Sequence, residues 1–479
     1  MNKKHLVIIG GGIAGLSAAY YAIQKSKEQT GSIQVSILEA DDQWGGKIRT
    51  ERVMLDDGQF IIEGGPDTFL ATKPWAVNLC KELGLSERLH GTNPHQKKTF
   101  VLYRDHLLDL PDGLAMMIPT NIPAVLKSRL ISWPGKVRMG VDFLLPAAQP
   151  NGDESLGNFI SRRLGREAYE NLIEPLMSGI YAGDGDRLSL ASTFPYLRDL
   201  ELKYGSLARG ALEMRRKSVG KAVQGSRSAF LTPTSGLAEI IEALVAYLEA
   251  NQVDMRLQTT VTDLSKSGSQ YQVQLEMGAS ITADAVILAT PAYVSGSLLA
   301  EIDRELAETL AKIPYVSTAT ISLAFRVSDL PRPLNGYGYV IPRRSDRKAL
   351  ACTWTSTKFP HRAPNGYALL RVFVGRAGQE NTLPRDEAEL VALAREELQL
   401  TLGIVAEPIV SRVFIWENSM PQYNLGHPKI LEQITQCLKN LPGLALAGNS
   451  YRGIGIPDCI HSGELASEQA LSVEGLQKV

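Results

Sequence analysis

The chain has 479 residues, of which 44% are hydrophobic and 21% charged, and a formal net charge of −1. That length fits two or three interleaved domains able to bury a cofactor-sized ligand, and the charge balance lacks the basic excess of a nucleic-acid binder, so no nucleic-acid partner is expected. The four cysteines, Cys80, Cys352, Cys437 and Cys459, lie far apart and outside any C-x-x-C pair; this argues against a metal site and for reduced thiols in a cytoplasmic compartment.

The first element is the apolar run LVII from Leu6, followed by Gly10-Gly11-Gly12-Ile13-Ala14-Gly15 and an apolar-periodic segment to about Lys27. A second apolar run, IQVSILEA, ends in Glu39-Ala40. This order predicts a βαβ unit whose G-x-G-x-x-G opens the helix. Gly10 would make the tight turn, Gly12 would admit a pyrophosphate to the backbone, and Gly15 would allow close helix–strand packing. The phosphates would meet unpaired N–H groups at the helix start, and Glu39 would accept hydrogen bonds from an adenosine ribose. The basic lead MNKK runs into this motif with no cleavage site, so export is not expected.

Residues from about Lys81 to Gly205 read as mostly helical, punctuated at LPDG, SWPG and QPNGD, and look like an insertion. No window has the roughly 18 apolar residues of a membrane span. Within the insertion, KSRLISWPGKVRMGVDFLLP interleaves Lys127, Arg129, Lys136 and Arg138 with apolar residues. That pattern suits weak contact with an anionic membrane surface, with helices packed on the core and solvated basic faces as the alternative. MRRKSVGK and GSRSAF are basic too, and read as solvated faces or pocket walls. After the amphipathic SGLAEIIEALVAYLEANQ come the strands MRLQTTVTDL, QYQVQLEM and DAVILATP, then ATISLAFRV and ALLRVFVG. The tail returns to strand, glycine-rich turn and helix.

One glycine fingerprint does not separate nicotinamide from flavin. Three distant turns do: Gly45-Gly46-Lys47, Gly64-Gly65-Pro66-Asp67-Thr68, and Gly448 with Gly453-Ile454-Gly455-Ile456. A long dinucleotide such as FAD needs anion-binding turns from several segments. No second G-x-G-x-x-G follows a central strand and no cysteine pair is present, which points to an oxidase passing electrons to oxygen rather than to a pyridine-nucleotide reductase.

These segments resemble the flavin-containing amine oxidase superfamily. EGGPDTFLATK, ENLIEPLMSGIYAGDGDRLSLASTFP, ACTWTSTKFPHRAP, WENSMPQYNLGH and GIPDCI are similar to one branch, the Gram-positive-type coproporphyrinogen III oxidases, formerly grouped with oxygen-dependent protoporphyrinogen oxidases. The resemblance implies an FAD enzyme of haem biosynthesis that oxidises a porphyrinogen in two-electron steps, reduces oxygen to hydrogen peroxide and hands its product to a ferrochelatase. It implies a cytoplasmic protein, in places peripheral to the inner membrane face. Coproporphyrinogen III is the expected substrate and protoporphyrinogen IX the runner-up; amine oxidation and carotenoid desaturation are more distant alternatives.

Carried over by motif, the FAD contacts are Gly10, Gly11, Gly12, Ile13, Ala14, Gly15, Glu39, Ala40, Lys47, Gly65, Pro66, Asp67, Thr68, Val261, Trp416, Gly448, Ile454, Gly455 and Ile456. Trp416 as core filler is the alternative for that residue. The substrate pocket is expected to hold Lys73, Gly179, Ile180, Tyr181 and Tyr423. Lys73 would pair with a propionate or else sit on the surface. Gly179 would present its carbonyl to the macrocycle or else stop a helix, Ile180 and Tyr181 would pack a ring face, and Tyr423 would line the pocket or fill a core. No side chain is assigned as a catalytic acid or base, because positioning is the main requirement of hydride removal from a porphyrinogen.

The fold class expected is α/β, α+β overall. A Rossmann-like FAD domain takes residues 1–73, 232–300 and 406–479; a mixed-sheet substrate domain takes 74–101, 204–231 and 301–405; a helical domain of 102–203 walls the pocket.

Overall fold

The computed structural model describes residues 3–28, 33–115, 118–148, 152–219, 228–379 and 383–472. Part of the basic stretches MRRKSVGK and GSRSAF, residues 220–227, lies outside the described residues.

A five-stranded parallel sheet runs in the order Asp254–Arg256, Ile33–Leu38, Lys4–Ile9, Ala285–Leu288, Leu444–Leu446. Leu6 and Ile8 face a core shared with helices Ile13–Glu28, Ala238–Ala250 and Ile456–Leu471. Val7 and Ile9 face the opposite core, formed with the antiparallel strands Val261–Ser267, Gln270–Leu275 and Ser280–Ala283 and helices Ala292–Leu299 and Arg304–Ala311. Both faces are covered, which is why these strands read as unbroken apolar runs instead of alternating ones. The last helix closes on the first at Gly463, where a Cβ would overlap the Ala14 carbonyl.

A second sheet of seven strands has the order Val410–Pro421, Tyr315–Arg326, Tyr367–Val374, Ala349–Trp354, Gly338–Val340, Thr99–Tyr103, His106–Asp109. Its pairings are antiparallel except between Gly338–Val340 and Thr99–Tyr103. Helices between Ile122 and Val219 gather around Phe159, Ile160, Leu172, Ile173, Met177 and Leu197 as a separate core.

Three expected boundaries shift. His106–Asp109, assigned to the helical part, is the outer strand of the large sheet. It is joined to Thr99–Tyr103 by Arg104 and Asp105, both at positive φ, a two-residue hairpin turn of the kind that usually advertises itself by Asn-Gly and here does not. Val410–Pro421, assigned to the FAD part, pairs along Tyr315–Arg326 at the other edge. Helix Leu207–Val219, assigned with the substrate sheet, places Leu207 and Ala211 in the helical core, because its apolar positions face that core.

Candidate active site

The G-x-G-x-x-G loop lies between strand Lys4–Ile9 and helix Ile13–Glu28, and its glycines differ in what they allow. Gly10 is at φ +107, and a Cβ there would lie 2.8 Å from the Ala289 carbonyl oxygen. At Gly15 a Cβ would overlap the Gly10 carbonyl oxygen. At Gly12 it would meet nothing within 4 Å. The loop therefore turns at the first glycine, packs at the third and leaves open space at the second, the arrangement a pyrophosphate cradle requires. Ile13 and Ala14 are buried in the first helical turn, where N–H groups have no intrahelical acceptor.

Glu39 ends the second strand beside this loop. It accepts from the backbone N–H of Gly11 at 2.5 Å and of Asp41 at 2.9 Å. The chain leading to Val261 runs alongside, with Gln258 N–H donating to the Asp41 carbonyl at 2.9 Å and Thr259 N–H to the Glu39 carbonyl at 2.8 Å. Glu39, exposed Ala40 and the start of strand Val261–Ser267 thus border one corner of the cradle.

The next turn docks directly on the first. Gly45 N–H donates to the Gly11 carbonyl at 2.9 Å, and Gly46, at φ +56, faces the Cα of Gly12. Lys47 follows, partly buried, with no hydrogen-bonded carboxylate among the described residues. Burial lowers its ammonium to about 8, against a weaker opposing influence from Cys459. A cation so placed lacks an anion, and a phosphate or a flavin oxygen suits the position.

Gly65 in turn abuts Lys47, whose carbonyl oxygen a Cβ on Gly65 would overlap. Gly65, Pro66, Asp67 and Thr68 are partly buried, the Asp67 side chain only 18% exposed. Behind them lies a buried charge cluster that the sequence reading missed. Arg362 donates to Glu63 at 2.6 Å, Lys358 to Asp67 at 3.0 Å, and Arg371 to the Gly64 carbonyl at 2.9 Å. Burial would raise the Asp67 carboxyl, but Lys358, Arg371 and Arg362 hold it near 2. Trp416 Nε1 also donates to the Gly64 carbonyl, at 2.9 Å, so this residue braces the turn and is more than core filler.

At the tail, Gly448 is at φ +119 with open space where a Cβ would go, and Gly455 precedes helix Ile456–Leu471. Ile454 packs on the helical core that holds Tyr181 and Tyr423. This brings the tail turn and the segment Ser178–Asp184 to one place.

The five pocket candidates divide. Gly179 and Ile180 are exposed, Ile180 at 47%, in the last turn of helix Glu174–Tyr181. A Cβ on Gly179 would meet nothing within 4 Å, and the helix stops at left-handed Ala182, not at Gly179. Tyr181 is buried, edge-on to Phe194 and Tyr423. Tyr423 is a correction: it is fully buried, its hydroxyl donates to the Asn449 carbonyl at 2.5 Å and accepts from Gly453 N–H at 3.0 Å, and its ring stacks on His427. It fastens the tail turn instead of lining open space. Lys73 stands at the N-cap position of helix Pro74–Glu82 and donates to both carboxylate oxygens of Asp458, at 2.6 and 2.7 Å. Asp458 lies in the first turn of the tail helix, and the ammonium paired with it is still 39% exposed.

All four cysteines are free and buried; burial pushes the Cys80 and Cys459 thiols up to about 12. Among the described residues no His, Cys, Asp or Glu group could hold a metal ion.

The chain is 40% identical to the coproporphyrinogen III oxidase of Bacillus subtilis (strain 168), over 98% of both chains. It is 36% identical to that of Staphylococcus aureus (strain NCTC 8325 / PS 47), over 98% of this chain and 99% of the relative. A crystal structure of a protein assigned as a protoporphyrinogen oxidase, from Exiguobacterium sp. 255-15, superposes with a TM-score of 0.84 at 31% identity, covering 98% of each chain. With a match to the family model over residues 13–471, the glycine cradle and its bracing turns identify the chain as an oxidoreductase of the flavin containing amine oxidoreductase family.

Proposed function

We propose that the protein binds FAD across these turns and oxidises coproporphyrinogen III to coproporphyrin III, with oxygen as acceptor and hydrogen peroxide as product, in porphyrin biosynthesis. The observation that carries the reading is the cradle, in which Gly12 leaves open space while Gly10 and Gly15 are each required by a backbone contact. Lys47, without a carboxylate partner, and the N-terminus of helix Ile456–Leu471 fit the anionic and electron-rich parts of that cofactor. Bound FAD supplies a two-electron acceptor for hydride removed from a porphyrinogen meso carbon. The chain's own part is to hold the macrocycle against that acceptor. Gly179 and Ile180 offer the exposed backbone and apolar surface for this, while Tyr181 and Tyr423 support them from the core. The names of the Bacillus and Staphylococcus relatives favour coproporphyrinogen.

Within this reading we assign three parts, with strands His106–Asp109 and Val410–Pro421 in the substrate sheet and helix Leu207–Val219 in the helical part. No helix among the described residues is long and apolar enough to cross a membrane. Trp133 and Val137, each 69% exposed, and Leu144, 83% exposed, lie in a stretch with Lys127, Arg129, Lys136 and Arg138. We assign this stretch a peripheral contact with anionic lipid at the cytoplasmic face.

The test is to purify the protein, record its flavin spectrum, and follow porphyrin fluorescence in air with coproporphyrinogen III and protoporphyrinogen IX separately. Flavin absorbance and faster oxidation of the first substrate are expected. A protein that cannot be reconstituted with FAD overturns the reading; preference for the second substrate transfers it to protoporphyrinogen. Co-sedimentation with anionic but not neutral vesicles, lost in Trp133→Ala, checks the lipid contact.

A further inference from the structure

The Gly64 carbonyl accepts three hydrogen bonds, from Thr320 Oγ1 at 2.8 Å, Arg371 at 2.9 Å and Trp416 Nε1 at 2.9 Å. Arg371 also donates to the Gly65 carbonyl. A carbonyl oxygen has two lone pairs, so three donors from three strands of the seven-stranded sheet leave the peptide no freedom to rotate. In a trans peptide the N–H points opposite to the C=O. The Gly65 N–H therefore points away from these three donors, and it has no acceptor among the described residues.

The charges behind this turn do not cancel. Arg362 is paired with Glu63, and Lys358 with Asp67. Arg371, only 2% exposed, bonds to carbonyl oxygens alone, and its Nε has no partner. Asp67 and Glu63 act on this guanidinium through space, but both carboxylates are already paired with other cations, and a buried guanidinium with no carboxylate hydrogen-bonded to it is costly. An electron-rich group seated against the Gly64–Gly65 turn would offset that cost.

We propose that Arg371 is a positioning residue that sets the reduction potential of the bound flavin: it aims the Gly65 N–H at the flavin and supplies positive charge that favours the reduced, anionic ring. The proposal rests on the FAD reading above. Positive charge and hydrogen-bond donors near the ring are the protein's means of tuning such a cofactor. Thr320 and Trp416 share the orienting role without the charge.

The experiment compares the holoenzyme with Arg371→Gln, Arg371→Lys, and the double variant Thr320→Val/Trp416→Phe. It measures the two-electron midpoint potential and the affinity for sulfite. Sulfite's lone pair forms a bond to flavin N5 and the displaced electron pair enters the ring, so its affinity reports stabilisation of negative charge without turnover. Arg371→Gln should shift the oxidised–reduced equilibrium about tenfold toward the oxidised form, about 30 mV for a two-electron couple, and weaken sulfite binding to match. Arg371→Lys should recover most of both, and the double variant should show a smaller loss of the same sign. A flavin-loaded Arg371→Gln with unchanged potential and sulfite affinity overturns the proposal. If that variant does not hold flavin, an unchanged double variant overturns it. Wild-type protein that binds no flavin overturns the FAD reading and this proposal together.

Discussion

Lys73 and Asp458 join the start of helix Pro74–Glu82 to the start of the C-terminal helix, with Lys73 Nζ 2.6 and 2.7 Å from the two carboxylate oxygens. Lys73 remains 39% exposed and Asp458 13%. Exposure of the lysine limits the pair to about 1 kcal/mol or less. Lys73→Ala and Asp458→Ala should each lower the urea midpoint slightly, and the double variant should be no worse than the single ones, because the two act as a unit. A double-variant cycle checks this. An additive cycle, with a raised Michaelis constant for coproporphyrinogen in Lys73→Ala alone, would return the lysine to the substrate.

Gly12 and Gly15 should separate binding from folding. Gly12 is outside the left-handed region and has open space around a Cβ, so Gly12→Ala should leave apo-protein stability unchanged or raised by about 0.5 kcal/mol. It should nevertheless abolish or strongly weaken flavin binding, since the methyl occupies the cradle. Gly15→Ala drives a Cβ into the Gly10 carbonyl and should cost about 3 kcal/mol or more. Thermal melts of the apo forms beside flavin fluorescence titrations distinguish the two.

Lys47 predicts opposite pH trends for stability and binding. Its ammonium sits at about 8 in the folded protein, below the 10.5 of an exposed lysine, because burial disfavours the charge. Between those values the unfolded chain binds more protons at this site, so its contribution to apo stability rises with pH across the window. Flavin affinity should fall as pH rises through about 8, as the cation facing the cofactor is lost. Lys47→Met should flatten both profiles, measured by urea denaturation and flavin titration.

Arg362 and Glu63 form a pair with side-chain exposures of 0% and 2%. Glu63→Gln leaves a buried guanidinium under-compensated and should cost about 3–5 kcal/mol in urea unfolding. Nearby Asp67, held near 2 against an ordinary 3.8 by Lys358, Arg371 and Arg362 despite its burial, contributes stability that is present above about pH 4 and lost as pH falls toward 2. Asp67→Asn should remove that part of the acid limb.

The local features were legible because their causes are local. Gly10, Gly12, Gly15 and Glu39 lie within one strand–helix–strand unit whose apolar runs and glycine spacing specify the turn. The same holds for helix Ala238–Ala250, whose periodicity is visible in isolation, and for strand Ala285–Leu288, an unbroken apolar run. The amino-acid sequence by itself thus determined a parallel α/β core, a glycine loop at the start of its first helix and a set of distant glycine turns.

Tertiary structure decided which side chains those turns meet. Lys358, Arg362 and Arg371 converge on Glu63, Gly64 and Asp67 from about 300 residues away, and no short-range pattern marks a buried cation whose partner is that distant. Tyr423 and Lys73 are pocket candidates by motif and resemblance; in the fold the Asn449 carbonyl and Asp458, brought in by the tail, accept their hydrogen bonds. Periodicity and spacing report conformation over a few turns of chain, whereas the partner of a buried polar group depends on which elements the fold packs against it.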